Sequence, residues 1–582
     1  MSVHCPTSAR GGLYRVLTDR ITPADADADA KATPAHQWAT RFFNLLPGRL
    51  EDPIQCQLLE STIGEMQNRY EALSYTWGDA TDKVPISVND GPVSVTKNLE
   101  VALRHLRRES ETRTLWVDAL CINQSDVSEV STHVQRMWAI YEHAGRALVF
   151  LGPQAEWSDE AFALLSELSS LEIGTEHHHR IAATLNNDLQ EAEGPWQGLF
   201  RLMQRPWWRR AWVVQEYAVA RQVVFLCGFR ELPNEAFGKA LEVLADYKFN
   251  GSLRPDHHQL IRRITAAPIH HLWSTRQNYQ KSGPKSRPDV AAVIHRFRGH
   301  QAFDPRDKIY SLYRLIAENP RLAPDYGRSV VDLYKDVARV MMETSGTLEV
   351  LSHHNRGIEG VEGLPTWCPD WTVLRGKRFT LWPRNYHATR GLKDATSFFH
   401  IEGDTLRLRG KLLDRIRWLK GFASDDFENQ ETLYRDILDI ELVARQMTTQ
   451  EHDGAAADTF ERAFRKTLVG ARAFVKGRND HYRTLSPNAT DSLWVAWSSH
   501  VQGKPCDARL ARRYSNALYG AMSGRAFVIT EGGSMGLVDG TVQVGDVIGA
   551  FSGGRMPLAL RQKESSPILT NAPNRYELVG EW

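Results

Sequence analysis

The sequence predicts an α/β fold in its N-terminal part, followed by a mainly helical region and a small C-terminal β unit. Between residues 70 and 228, apolar runs of strand type alternate with regular helical patterns. Helical patterns fill 425–520, and short strands separated by Gly turns fill 521–582. Because strand-helix-strand order favours parallel pairing, we expect a central parallel sheet flanked by helices.

The helix that starts near Asp126 has the clearest pattern in the chain. Its apolar residues recur every three or four positions and so share one face: Val127, Val130, Val134, Met137, Tyr141 and Ala144. Ser125 is the predicted N-cap, Asp126 suits the first turn, and Gly145 ends the helix. A second helix is expected over 207–220.

The strands of the predicted domain are short and largely apolar. The segments 41–48 and 54–61 form a first strand pair, and 73–75, 147–152 and 223–228 are buried strands. The apolar run 114–122 is predicted to be one strand that contains Asp118.

Composition excludes several classes of protein. Of 582 residues, 42% are hydrophobic and 24% charged, as in soluble globular chains. The 71 basic and 70 acidic residues give a net charge of +1, which argues against a dedicated nucleic-acid surface. No CxxC pair, secretory signal or apolar stretch long enough to span a membrane occurs, which predicts a reduced, cytoplasmic location.

Several common catalytic motifs are missing or incomplete. Walker A, GxGxxG and HExxH patterns do not occur. Gly532–Gly536 matches the Gly-x-Ser-x-Gly elbow around Ser534, but strand-type sequence follows where a hydrolase needs a helix. The run His177–His179 is interpreted as a solvated surface tract, so no metal site is predicted. Cys121 is interpreted as a buried structural thiol and not as a nucleophile.

Polar side chains that follow the predicted strands suggest a site. Asp79 comes after the strand 73–75, and Asn123 and Gln124 come after 114–122. In open α/β sheets ligands bind at the carboxyl ends of strands, so these residues would line one crevice. Asp118 either takes part in this site or pairs with Arg209, Arg210 or backbone amides, because a buried charge needs a partner.

Three dense segments resemble the signature blocks of the HET domain, the heterokaryon-incompatibility domain of filamentous fungi. They are YEALSYTWGD (70–79), LWVDALCINQ and its continuation (115–152), and PWWRRAWVVQEYAVARQVVFLCG (206–228). The segments 304–316 and 364–371 also look like family sequence. Members of the family often continue with a few more strand residues after the equivalent of Tyr576–Glu581, which leaves the completeness of the last strand open.

The HET domain distantly resembles the TIR domain, so the fold is expected to be TIR-like. In enzymatic TIR domains a helix carries a Trp and, a few residues on, the Glu that is catalytic in NAD+ cleavage. Trp212 and Glu216 match that pattern at i and i+4. The resemblance implies Glu216 as the catalytic carboxylate. The implied substrate-binding residues are Ser74, Trp77, Asp79, Asp118, Asn123, Gln124, Trp212 and Gln215.

Chemistry is compatible with this assignment. Cleavage of the nicotinamide–ribose bond passes through an oxocarbenium-like state, and nicotinamide leaves without needing a general acid. One carboxylate that stabilises the developing positive charge would therefore suffice. Trp77 or Trp212 would stack on a ring, and Arg209, Arg210 or Arg306 would pair with the pyrophosphate, although core packing explains the aromatic residues equally well.

The resemblance implies a role in nonself recognition that ends in programmed cell death, with self-association, an incompatibility partner protein and NAD+ as substrate but no bound cofactor. The alternative is a non-enzymatic death-signalling or scaffold module that acts through protein–protein contacts. The predicted organisation is a flexible segment (1–37), the HET domain (38–230), a helical or mixed region (231–420), a helical region (421–520) and a β unit (521–582).

Overall fold

A computed structural model gives the structure of most of the chain, in two compact units, Met1–Ser329 and Val330–Trp582. The structure describes the following residues: 14, 17, 34–191, 193–250, 260–261, 263–265, 267–282, 290–316, 319–353, 360–373, 398–423, 425–448, 454–470, 472–475, 481–484, 486–563 and 575–582. The predicted flexible segment 1–37 therefore lies mostly outside the described residues.

The first unit is built on a nine-stranded mixed sheet. Its strands are β1 (Ala39–Leu45), β2 (Gln55–Thr62), β3 (Glu71–Tyr75), β4 (Lys83–Val88), β5 (Gly91–Thr96), β6 (Arg113–Trp116), β7 (Arg146–Phe150), β8 (Val223–Cys227) and β9 (Arg230–Pro233). The order across the sheet is β5-β4-β2-β1-β6-β3-β7-β8-β9. The predicted α/β class is confirmed.

Four neighbouring strands, β6-β3-β7-β8, are mutually parallel, whereas β1 and β9 attach to them antiparallel. Their order corresponds to 2-1-3-4 in chain order, as in flavodoxin-like doubly wound sheets. The chain leaves β3 toward β6 and leaves β7 toward β8. The connections therefore diverge between β3 and β7, where such sheets bind ligands beyond the carboxyl ends of the strands.

The helices of the first unit include the long one that the periodicity predicts. They are α1 (Lys97–Leu106), α2 (Asp118–Cys121), α3 (Val127–His143), α4 (Ser158–Ser170), α5 (Thr175–Glu191), α6 (Pro195–Leu202), α7 (Val213–Val219), α8 (Asn234–Asn250), α9 (Ala267–Ser282), α10 (Val290–Phe297) and α11 (Asp307–Tyr310). The cap of α3 is Asp126, whose carboxylate accepts from the amides of Ser128 and Glu129, and the predicted cap Ser125 was wrong.

Two other predicted elements end earlier or break. Strand β6 ends at Trp116, and Asp118 begins the short helix α2, so the prediction that Asp118 lies within a strand was wrong. The helix expected over 207–220 is a 3₁₀ turn, Pro206–Arg209, followed by α7. Pro206 explains the break, because its fixed φ favours the first position of a new turn.

The second unit combines helices with a six-stranded sheet of order β16-β15-β12-β17-β18-β19. Its helices are α12 (Val330–Ser345), α13 (Gln430–Thr448), α14 (Gly454–Leu468), α15 (Pro487–Val501) and α16 (Ala508–Met522). Its strands are β10 (Phe399–Glu402), β11 (Thr405–Leu408), β12 (Gly410–Gly421), β13 (Arg472–Val475), β14 (His481–Thr484), β15 (Arg525–Thr530), β16 (Met535–Asp539), β17 (Val547–Phe551), β18 (Leu558–Gln562) and β19 (Tyr576–Glu581). The predicted helical region and C-terminal β unit are confirmed.

Strand β16 follows Ser534 directly, so the strand-turn-helix geometry of a hydrolase elbow is not formed there. Within the described residues, no helix combines the length and the apolar character needed to cross a membrane.

Candidate active site

The centre of the site is Ser74, next to last in β3. Its side chain is buried, with 1% of its surface exposed, and it takes part in two hydrogen bonds. Ser74 Oγ donates to Glu216 Oε2 and accepts from Trp207 Nε1 at 2.8 Å. A hydroxyl that donates once and accepts once is well satisfied in an apolar interior. Ser74 thus joins β3 to two separate parts of the segment 206–219.

Trp207 is held in place by an aromatic cluster. The PWWR turn buries both indoles, which meet edge to face with ring centroids 5.0 Å apart. Trp208 stacks on Phe225 of β8 at 5.6 Å and on Phe237 of α8 at 5.5 Å. Aromatic pairs of this kind contribute about 0.5–1.5 kcal/mol each beyond the area they bury. The cluster therefore fixes the turn so that Trp207 Nε1 reaches Ser74.

Glu216 lies on α7, a helix whose residues are all buried, and only 2% of Glu216 is exposed. Burial raises the pKa of this carboxyl to about 7, because an ionised carboxylate loses its hydration in the interior. Arg210 and the Ser74 hydroxyl oppose the shift, and the negative charge of Asp118 adds to it. Near neutral pH Glu216 is therefore divided between its neutral and ionised forms.

Arg210 connects Glu216 to a second acidic residue. Its guanidinium donates to the carbonyl of Tyr75 and lowers the pKa of both Glu216 and Asp118. Asp118 is half-buried, and its carboxylate accepts from Trp77 Nε1 at 2.9 Å and from the amide of Ala119 at 2.7 Å. Burial still raises the pKa of Asp118. One cation thus faces two carboxyls with raised pKa, an arrangement typical of functional sites.

Of the other predicted residues after β3 and α2, Asn123 and Gln124 are half-buried and Asp79 is exposed. Gln124 Nε2 donates to the carbonyl of Asp118 at 2.9 Å, and Asn123 Oδ1 accepts from the amide of Ser125 at 3.2 Å. Asp79 is exposed, and its carboxylate accepts from the amide and hydroxyl of Thr81, which lowers its pKa. Asp79 is therefore occupied within its own turn.

Trp212 precedes α7 and is tied to residues that follow later in the first unit. Its indole donates to Asp307, whose carboxylate also accepts from the hydroxyl of Tyr326 at 2.5 Å. Burial raises the pKa of Asp307 to about 6. The backbone is linked as well, because the amide of Ala211 donates to the carbonyl of Gln301 at 2.8 Å. The start of α7 is thus held by the segment 301–326.

Gln215 is buried beside Glu216, and its Nε2 has no hydrogen-bond partner among the described residues. An unpaired buried amide group costs about 1–3 kcal/mol, which natural folds tolerate most often at functional sites. The two remaining predicted phosphate-binding residues have other partners. Arg209 donates to Gln204 Oε1 at 2.7 Å, and Arg306 pairs with Asp304 at 2.6 Å.

A pocket of about 290 Å³ opens at the edge where the β3 and β7 connections diverge. Thr76, two residues beyond Ser74, and Pro206, which precedes Trp207, both line it. Its volume lies just below the roughly 300–1,000 Å³ typical of ligand sites. Glu216 is not among its lining residues. In this conformation the buried carboxyl and the pocket are neighbours without a shared surface.

Sequence reasoning missed Trp207, Asp307 and most of the pocket lining. The PWW run marked a signature block, but nothing in it shows that Trp207, and not Trp77, bonds the Ser74 hydroxyl. It also misplaced His177, predicted to be solvated. His177 is buried in α5, with Nε2 3.1 Å from Asp246 Oδ2.

Two other kinds of site, a reactive cysteine at Cys121 and a metal centre, find no support among the described residues. Cys121 is buried and its thiol pKa is raised, so it is not a ready nucleophile. Among the described residues, no cluster of three or more His, Cys, Asp or Glu side chains is arranged to hold a metal ion.

Fold and site together define a doubly wound α/β domain with a buried acidic group at the carboxyl edge of its sheet. Residues 70–216 match the family model described as heterokaryon incompatibility protein (HET), and the match ends at Glu216. The chain is 23% identical to heterokaryon incompatibility protein 6, OR allele, of Neurospora crassa, over 93% of this chain and 92% of that protein. No solved structure matches the chain significantly. Residues 70–216 therefore carry a HET domain, as the signature blocks predict.

Proposed function

We propose that this protein acts in fungal nonself recognition and that its HET domain cleaves NAD+ when copies assemble, so that NAD+ loss triggers cell death. The incompatibility role rests on the HET match and on the name of the Neurospora crassa relative. The catalytic part rests on one observation. Glu216 is a buried carboxyl with a pKa of about 7, bonded to Ser74 at the carboxyl edge of a doubly wound sheet.

In the proposed reaction the bond between the nicotinamide nitrogen and ribose C1′ breaks, and its electron pair neutralises the pyridinium. The ribose becomes an oxocarbenium-like cation, and water adds to C1′ and loses a proton. The products are nicotinamide, ADP-ribose and a proton. The ionised form of Glu216 stabilises the cation, and in a low-dielectric interior such stabilisation is strong. Arg210 supports this role, because its charge favours ionised Glu216.

The burial of Glu216 gives a physical reason why activity would require self-association. With 2% of its surface exposed, Glu216 cannot reach a substrate in this conformation. Assembly would have to move α7 or the Trp207 turn and so open a path from the pocket to the carboxyl. An enzyme that is closed as a single copy would spare its host NAD+ until the protein is triggered.

The test is nicotinamide release from NAD+ by the purified full chain, assembled at high concentration with a crowding agent. We expect release by the wild type and at least a hundredfold loss, on the order expected for a transition-state interaction, in Glu216→Gln. Gln keeps the size of Glu216 and its hydrogen bond from Ser74. Glu160→Gln, which removes an exposed carboxylate on α4, is the matched control and should keep full activity.

If assembled, folded wild type releases no nicotinamide, or if Glu216→Gln turns over NAD+ normally, the enzymatic proposal is wrong.

A non-enzymatic signalling module is the second candidate, and the burial of Glu216 favours it. In this alternative Ser74, Trp207 and Glu216 only stabilise the domain, and partners carry the death signal. Killing of fungal cells by Glu216→Gln at wild-type level would support the module, whereas loss of killing with self-association intact would support the enzyme.

The same proposal places the protein in the cytoplasm with two kinds of partner. One is a second copy of the chain, and the other is an incompatibility partner protein. Co-purification of two differently tagged copies tests the first, and it should rise with expression level.

A further inference from the structure

The pocket at the diverging edge has walls of mixed chemistry. Val101 of α1, Phe150 of β7 and Pro206 provide apolar surface, and Thr76, Glu156 and Arg205 provide polar groups. Apolar walls with a few polar groups are usual in sites for small organic ligands. The pocket contains none of the residues that the family resemblance marks as substrate-binding.

Two opposite charges line this pocket without pairing. Arg205 donates to the carbonyls of Leu151 at 3.1 Å and Pro153 at 3.0 Å, and so holds the loop after β7. Glu156 lies on the same loop and is exposed, and its carboxylate has neither an ion pair nor a hydrogen bond among the described residues. A ligand that carries both a cation and an anion would complement this lining.

The loop also adopts an unusual backbone conformation at this point. Glu156 and Trp157 have φ of 55° and 63°, a region that non-glycine residues rarely occupy and that costs of order 1 kcal/mol or more at each position. Such strain persists where the surrounding structure enforces it, and it concentrates at ligand sites. Here it places the Glu156 carboxylate in the pocket lining.

We propose that this pocket binds the nicotinamide nucleotide half of NAD+, with the pyridinium ring near Glu156 and the phosphate near Arg205. The inference rests on the proposed function, which selects a pyridine nucleotide among ligands that carry both charges. Phe150 and Pro206 offer apolar surface to the ring. The site would hold the scissile bond beside the Trp207 turn, so that opening of that turn brings Glu216 to it.

The probe is nicotinamide mononucleotide, a zwitterion, compared with its reduced form, whose ring is neutral. Calorimetry on the full chain carrying Glu216→Gln measures binding without turnover. We expect the oxidised form to bind about fivefold more tightly, the effect of one exposed ion pair. Glu156→Gln should remove that preference, and Glu160→Gln, the same change outside the pocket, should keep it.

Val101→Phe provides a second arm, because it fills the pocket and leaves both charges in place. We expect it to abolish binding of both forms, with an unchanged circular dichroism spectrum. Equal binding of the two forms, or a preference that survives Glu156→Gln, would overturn the pyridinium assignment.

The outcomes separate this inference from the proposed function. Selective binding of the oxidised nucleotide by a wild type that releases no nicotinamide would support the pocket and reject the enzyme. NAD+ cleavage that is unchanged in Glu156→Gln and Val101→Phe would support the enzyme and reject the pocket.

Discussion

The two compact units each bury a carboxylate to nearly the same extent, but the two carboxylates differ in their hydrogen-bond partners. Asp546 in the second unit is 3% exposed, and Arg561 binds both of its oxygens at 2.8 Å, with a further bond from the amide of Gln543. Glu216 in the first unit is 2% exposed and receives the Ser74 hydroxyl, and its pKa rises to about 7. Similar burial therefore accompanies a fully paired carboxylate in one case and a carboxyl with a raised pKa in the other.

Removal of Asp546 should have the largest effect. In Asp546→Ala the Arg561 guanidinium loses its paired acceptor while three quarters of its side chain is buried. We expect a loss of about 3 kcal/mol in the free energy of unfolding, toward the lower end of measured values for a broken buried ion pair. Urea unfolding at neutral pH measures it. The exposed Glu531→Ala should change stability by less than about 0.5 kcal/mol. Comparable losses in Asp546→Ala and Glu531→Ala would show that the Asp546–Arg561 ion pair adds no stability. The structural role assigned to Asp546, in contrast to Glu216, would then be wrong.

Glu216→Gln should instead stabilise the protein, and only above pH 4.5. The folded-state pKa of about 7 exceeds the usual 4.5, so the folded state keeps a proton that the unfolded state has released. Stability is therefore lost as pH rises from 4.5 to 7, by about 3 kcal/mol, and then stays level. Glu216→Gln should gain that amount over wild type between pH 4.5 and pH 8 in urea titrations. A pH-independent difference would show that the pKa of Glu216 is not raised by burial.

Ser74→Ala tests the hydrogen bond that the Ser74 hydroxyl donates to the Glu216 carboxylate. The change leaves Trp207 Nε1 without its acceptor and removes the donor to Glu216. We expect a cost of about 1–2 kcal/mol and a further rise in the pKa of Glu216. Carboxyl-labelled NMR titration measures the pKa, with Ser166→Ala on the exposed face of α4 as control. A fall in the pKa would contradict this account of the site.

The smallest effect should come from Asp118→Asn. The negative charge of Asp118 raises the pKa of Glu216, so its removal should lower that pKa slightly. Asn keeps one acceptor oxygen, which can serve the amide of Ala119, and loses the oxygen that accepts from Trp77 Nε1. The same NMR titration of Glu216 is the measurement. An unchanged pKa would mean that the two carboxyls titrate independently, despite sharing Arg210.

Local patterns in the sequence predicted the α/β class, helix α3 and the C-terminal β unit, because periodicity reports which face of an element is buried. The same signals failed where an element ends inside an apolar run. The stretch 114–122 is uniformly apolar around Asp118, yet β6 stops at Trp116. Nothing in the composition of that run marks the change from strand to turn.

Contacts between distant residues were beyond local patterns. Ser74 meets Trp207 across 133 residues and Glu216 across 142, and neither pairing leaves a trace in spacing or composition. The resemblance supplied Glu216 and Ser74 as separate candidates. Only the folded sheet brings β3, the PWWR turn and α7 together.

The bonds from Gln301 and Asp307 to the segment 209–212 bear on how fragments of this protein should be made. The match to the family model ends at Glu216, so a fragment cut there or at residue 230 looks complete by that match. A fragment cut at residue 230 keeps α7, and one cut at Glu216 keeps only its first half. Both lack Gln301, Asp307 and Tyr326, which hold the start of that helix. The compact unit runs to Ser329. Inactivity of a shorter fragment would therefore reflect the loss of the contacts that hold the start of α7, and not the absence of activity in the HET domain. A fragment meant to assay the HET domain alone should reach residue 329.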